Sequence, residues 1–137
     1  MNTKRALIGG LLLYITSFVV YMILFAAGLV SMEEYTLNAF IIGWVVNIPI
    51  VLLIAKWYFK KDSPTTKKGL HLGLYFILVA LVLDGLSVLG AWASGQPLDQ
   101  FMELYSSWPF YVTIAEVILL ATYAGFEFDG TYTPPQA

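Results

Sequence analysis

Four long stretches of this chain run almost without polar interruption. Residues 6–30 carry no charge, and neither do residues 35–55. Residues 69–93 carry one, Asp84, and residues 108–126 carry one, Glu116. An α-helix needs about 20 apolar residues to cross a hydrocarbon core of roughly 30 Å, and each stretch is near or above that length. Membrane-spanning strands would be about 10 residues long and alternate in polarity. The pattern therefore predicts an all-α, polytopic membrane protein. It is a single domain over residues 1–137 holding a four-helix transmembrane bundle, with helices at 6–30, 36–57, 64–93 and 107–126. The first stretch exceeds the 7–15 residues of a secretory signal core, so it is expected to stay in the membrane.

Between the third and fourth stretches the period changes. Leu98, Phe101, Met102 and Tyr105 recur at helical spacing, Asp99, Gln100 and Glu103 take the other side, and Pro97 suits a first turn. Residues 97–105 thus read as a short amphipathic helix on the outer surface, with an irregular loop as the alternative. Ser63-Pro64 reads as an N-cap and first-turn proline for the third helix. Trp57, Tyr58, Phe59, Trp92 and Trp108 fall where interfacial aromatic anchors belong. The tail, residues 127–137, is short and acidic, and Glu127 and Asp129 are expected to be solvated rather than paired with the lysine-rich loop.

Composition supports lipid as the solvent. Hydrophobic residues make up 59% and charged residues 12%, against about 25% charged in soluble domains. A soluble fold of this length has too little interior to hide that much apolar surface. Cysteine is absent, which removes disulfides and thiolate chemistry. The net charge of −2 matters less than its placement. All seven basic residues, Lys4, Arg5, Lys56, Lys60, Lys61, Lys67 and Lys68, precede the first helix or lie between the second and third. The other loops hold Glu33, Glu34, Asp99 and Glu103. The positive-inside rule then puts both termini and the basic loop in the cytoplasm, in the cell membrane, with one fixed orientation. Lys67 and Lys68 are expected among anionic headgroups, at about 1 kcal/mol each.

Candidate chemistry lies in the few polar residues of the spans. An Asp at a helix centre costs about 2.5–3.5 kcal/mol on insertion, so such residues usually face a bundle interior and often mark function. At 1.5 Å per residue, Tyr21, Asn47, Asp84 and Glu116 each fall roughly 12–16 Å below the outer end of their helices. That predicts a polar mid-layer to which every helix contributes one group. Ser87 and Thr113 share faces with Asp84 and Glu116. Pro49 frees the carbonyl of Val45 near Asn47. Two carboxyls at one depth, with no lysine or arginine there, cannot comfortably both ionise. Either they share a proton or hold a cation through oxygen ligands, or both are protonated and serve as interhelical hydrogen-bonding glue. Glue contacts are worth about 0.6 kcal/mol on average.

An internal repeat is also suggested. Lys4-Arg5-Ala6-Leu7 followed by Gly10-Leu11 parallels Lys67-Lys68-Gly69-Leu70 followed by Gly73-Leu74. The same alignment sets Tyr21 on Asp84 and, with a longer second outer loop, Asn47 on Glu116. Two parallel hairpins would then surround a pseudo-two-fold axis along the membrane normal.

Several functions are disfavoured. His71 is the only histidine, so a zinc or bis-histidine haem site has no ligand set, and no metal or cofactor is expected. No Gly-rich nucleotide motif is present, and the membrane surface accounts for the lysine loop without nucleic acid. The stretch Trp57-Tyr58-Phe59-Lys60, with Ser63-Pro64 and Leu83-Asp84, resembles small uncharacterised four-helix membrane proteins of prokaryotes. The resemblance implies the four-helix topology and no activity. No cluster names a reaction. Two functions are expected: translocation of protons, a small cation or a small solute through the carboxylate layer, as a homo-oligomer, or a non-catalytic role as an accessory or scaffold subunit beside a partner membrane protein.

Overall fold

The computed structural model describes residues 1–29 and 37–127. The loop acids Glu33 and Glu34 and the tail beyond Glu127, with Asp129, lie outside the described residues. Five helices follow in order: α1 (Thr3–Ala26), α2 (Leu37–Phe59), α3 (Thr66–Ala93), α4 (Asp99–Ser106) and α5 (Trp108–Glu127). Four of them are long and apolar enough to cross a membrane. Their outward side chains are apolar nearly all round, with Leu53 66% and Leu119 67% exposed, which only lipid could cover. The chain is a four-helix membrane bundle. The segment between α3 and α5 forms the short amphipathic helix α4 rather than an irregular loop.

The helix ends have local causes. The Asn2 side chain caps α1 by accepting from the Arg5 amide at 3.1 Å. Thr65 caps α3 by accepting from the Lys68 amide at 3.0 Å. The cap expected at Ser63-Pro64 is thus displaced: Pro64 is buried ahead of the helix and the Thr65 hydroxyl takes the capping role. α1 ends at Ala26, one turn before the expected residue 30. Gly28 takes a left-handed φ of 77° and its neighbour Leu29 bonds back to the Leu24 carbonyl, a glycine stop no side chain would favour. α3 ends in the same way at Gly95. The two helices start alike but are 24 and 28 residues long.

In the ring of helices, α1 packs on α3, α3 on α5, α5 on α2 and α2 on α1, while the diagonals make little or no contact. The helices that the repeat makes equivalent, α1 with α3 and α2 with α5, therefore stand side by side. A two-fold axis through the centre would set them on opposite corners. The expected symmetric ring of four polar groups is not built. The most extensive contact is α3 on α5. At Gly73 an added Cβ would lie 2.9 Å from the Ile118 Cα, and at Gly69 2.9 Å from the Thr122 Cα. Gly69 and Gly73 face Ala121 and Gly125, so small residues four apart on both helices bring the backbones together.

We refer to the basic end, which holds the α2–α3 loop, and the acidic end, which holds α4. The close-packed core occupies the basic half: Ala6 and Leu13 of α1, Val51 to Phe59 of α2, Leu72 and Phe76 of α3, Val117 to Ala124 of α5. Tyr58 and Phe59, expected as interfacial anchors, are fully buried there. Trp92 and Trp108 at the acidic end are exposed, as anchors are.

Candidate functional site

The polar groups of the spans are joined by hydrogen bonds. They separate into two interhelical sets. On the α1–α3 side, the Tyr14 hydroxyl donates to Asp84 Oδ1 at 2.8 Å. Tyr105 of α4 hydrogen-bonds the same carboxyl, and Ser87 lies beside Tyr14. Ser87 itself donates to the Leu83 carbonyl at 3.1 Å. On the α2–α5 side, Asn47 Nδ2 donates to Glu116 Oε1 at 3.3 Å, and Trp44 Nε1 donates to Thr113 Oγ1 at 2.8 Å. Thr113 in turn donates to the Pro109 carbonyl at 3.0 Å. Trp44 and Asn47 are three apart on α2, as Thr113 and Glu116 are on α5, so they form a two-rung ladder between parallel helices.

Asp84 and Glu116 thus belong to different sets, and no hydrogen bond joins them. Among the described residues, no three His, Asp or Glu side chains converge as a metal site would need. Asp84 meets Tyr14, where the depth estimate had placed Tyr21. The stop of α1 at Ala26 accounts for about one of the two turns that separate Tyr14 from Tyr21. Counted from Ala26, Tyr21 lies about one turn nearer the helix end than it does counted from residue 30. The same register sets Gly10 against Val79, nearly two turns further along α3 than the Gly73 with which the repeat aligns it.

Between the two sets the acidic half holds a partly open cavity of ≈ 290 Å³. Tyr14, Ser17, Tyr21, Trp44, Asn47, Asp84 and Thr113 supply its polar wall. Leu13, Phe76 and Val117, members of the close-packed core, form its floor, and Leu104 of α4 and Phe110 also line it. The volume is at the lower edge of the roughly 300–1,000 Å³ usual for small-molecule sites. Glu116 is not among the lining residues. Asp84 is therefore the carboxyl that faces an interior space, and Glu116 belongs to the helix ladder.

A second cluster, at the basic end, escaped the sequence reading. Asp62 is 8% exposed, a buried charge in the α2–α3 loop. It accepts from Lys68 Nζ at 2.6 Å and from the Tyr58 hydroxyl at 2.5 Å, and the Asn2 amide donates to Tyr58 Oη at 3.0 Å. Burial by itself pushes the Asp62 carboxyl up. The hydrogen bonds from Lys68 and Tyr58 and the Lys68 charge outweigh it and hold the carboxyl below its ordinary value. Arg5 donates through Nη2 to the Trp57 carbonyl at 2.5 Å and stacks 3.7 Å over the Trp57 ring. A cation thereby closes the C-terminal end of α2. Lys68, expected at the headgroups, is instead part of this clasp. The signal for it was a lone acid in a lysine-rich loop, which local spacing could not pair with a tyrosine. The chain matches no family model, no curated protein and no solved structure, so its own residues carry the functional argument.

Proposed function

We propose that this chain translocates a small solute, cation or proton across the cell membrane, with Asp84 as the group that holds the cargo. One observation carries the reading: a span carboxylate opens onto an internal cavity, with Tyr14 and Tyr105 positioning it. Buried carboxyls are costly in a membrane and repay that cost most often as part of a pathway. Placement of the basic residues supports an orientation with the basic end and both termini in the cytoplasm, so that the cavity lies in the outer half of the bilayer. The dense basic half then acts as the inner barrier. Glu116, outside the cavity, has the supporting role.

Proteoliposomes loaded with a pH-sensitive dye test this reading. A pH step is imposed alone or with Na⁺, K⁺ or a small ammonium compound outside. Wild-type protein is expected to give a flux under at least one condition. Asp84→Asn should abolish it, and Glu116→Gln should lower it less. Equal flux in wild type and Asp84→Asn would end the proposal. No flux, with a membrane partner co-purifying, would favour the accessory role. Orientation is read independently, because the chain has no cysteine. A membrane-impermeant maleimide applied to whole cells should label Ser94→Cys and spare Ser63→Cys.

A further inference from the structure

We propose that the cavity's ligand class is a small hydrophobic ammonium cation, an aromatic or alkyl amine carrying a permanent or protonated positive charge. This deepens the translocation reading and rests on it for its physiological sense, though not for its test. The first reason is charge. Asp84 is the one charged residue among those lining the cavity, and no lysine, arginine or histidine shares the wall. An anion would meet an uncompensated carboxylate. A neutral occupant would strip water from that carboxylate and offer nothing in return, which is costly in a low-dielectric site. A cation offsets both. A carboxylate can accept about four hydrogen bonds, so Tyr14 and Tyr105 leave it room for an ammonium.

The second reason is the rest of the wall. Above the sealed floor residue Phe76, five aromatic rings line the space: Tyr14, Tyr21, Phe40, Trp44 and Phe110. Rings around a carboxyl are the arrangement that attracts an organic ammonium, through the negative faces of the π systems, while supplying apolar cover for its substituents. Sugars and other polyhydroxy solutes fit poorly. The wall is mostly apolar, and the Trp44 N–H is already given to Thr113 and one Asn47 N–H to Glu116, so most hydroxyls of such a cargo would face side chains that offer no partner. A bare metal ion fits poorly as well, since no cluster of three carboxyl or imidazole ligands forms among the described residues. The ≈ 290 Å³ volume admits a single ring with a methylated nitrogen rather than a large drug-like cation.

The test is direct binding to the full chain in detergent, by titration calorimetry at neutral pH. The probes are phenyltrimethylammonium and its uncharged near-isostere N,N-dimethylaniline. The cation is expected to bind at least tenfold more tightly. That preference should vanish in Asp84→Asn and return in Asp84→Glu, with helical content unchanged in both. Phe110→Leu should weaken cation binding severalfold with the preference for charge retained. Equal binding of the two probes, a preference that survives in Asp84→Asn, or no binding of either would overturn the assignment. A pH-driven flux that persists without cation binding would sink this inference and leave the translocation reading standing. Cation binding without any flux would do the reverse.

Discussion

At the basic end, Tyr58, Phe59, Leu72 and Phe76 are sealed from solvent, and every polar side chain of the clasp around Asp62 has a partner. At the acidic end, the same four helices part around a cavity whose wall carries a carboxyl and five rings. The two halves use the same kinds of residue. Tyr58 with Asp62 and Tyr14 with Asp84 are both tyrosine–aspartate hydrogen bonds, of 2.5 and 2.8 Å. What differs is the third party. Asp62 has Lys68 as a built-in cation, whereas Asp84 has only hydroxyls and open space. A carboxylate that comes with its counter-charge holds a fold together, and one that lacks it is left to take a counter-charge from outside.

That contrast is open to attack by substitution, and the largest effect is expected where the basic half is tightest. Gly73→Leu forces a side chain into the Ile118 backbone and should cost about 1–3 kcal/mol or more, read as lost folded fraction in a detergent unfolding titration. Gly85→Ala in the acidic half has nothing within 4 Å to strike and should be neutral or gain about 0.4–1 kcal/mol. Equal losses at the two positions would break the comparison.

Asp62→Asn comes next, at about 1–3 kcal/mol, because it removes the counter-charge of Lys68 and turns one of the two acceptor oxygens shared by Lys68 and Tyr58 into an amide donor. Its pH dependence has a fixed sign. The folded carboxyl lies below its unfolded value of 3.8, so its stabilisation is complete above about pH 4 and is lost as pH falls through the folded value. The Tm difference between wild type and Asp62→Asn should therefore shrink to nothing under acid. A difference that grows on acidification would contradict the clasp.

Asp84→Asn should behave in the opposite way, abolishing flux while leaving thermal stability unchanged or raised, since it removes the costliest group in the spans. A large loss of stability would make Asp84 glue after all. The smallest effect belongs to the ladder. A double-mutant cycle of Trp44→Phe and Thr113→Val should return a coupling of about 0.6 kcal/mol. A coupling several times larger would move the ladder into the structural half of the comparison.

Much of this was legible in the chain. Charge-free runs located all four spans, and the period of Leu98, Phe101, Met102 and Tyr105 located α4. Asp84 and Glu116 stood out because ionisable groups are rare in lipid. Their partners were harder to read. Tyr21 was matched to Asp84 by counting from an apolar boundary, but hydropathy continues past Gly28 and the backbone does not. Asn47 and Glu116, which the repeat sets at equivalent positions, hydrogen-bond because α2 and α5 are parallel neighbours that keep a constant register. Both ladder bonds join residues 69 apart. Trp57, Tyr58 and Phe59 looked like interfacial anchors because sequence shows their nearness to a helix end and hides what packs over it. Here α1 and the Asp62 loop cover Tyr58, so burial is a tertiary fact with no local trace.

The glycine seam between α3 and α5 has a consequence for biogenesis. α5 is the least apolar of the four spans, the one with the weakest claim on lipid when it leaves the ribosome. Its largest contact is with α3, already synthesised and able to offer Gly69 and Gly73 as a docking track. Insertion of the last helix thus becomes conditional on the third. A seam substitution should therefore also lower the yield of inserted protein, with α5 left outside the bilayer in the fraction that is degraded, beside the lower stability of the protein that does assemble.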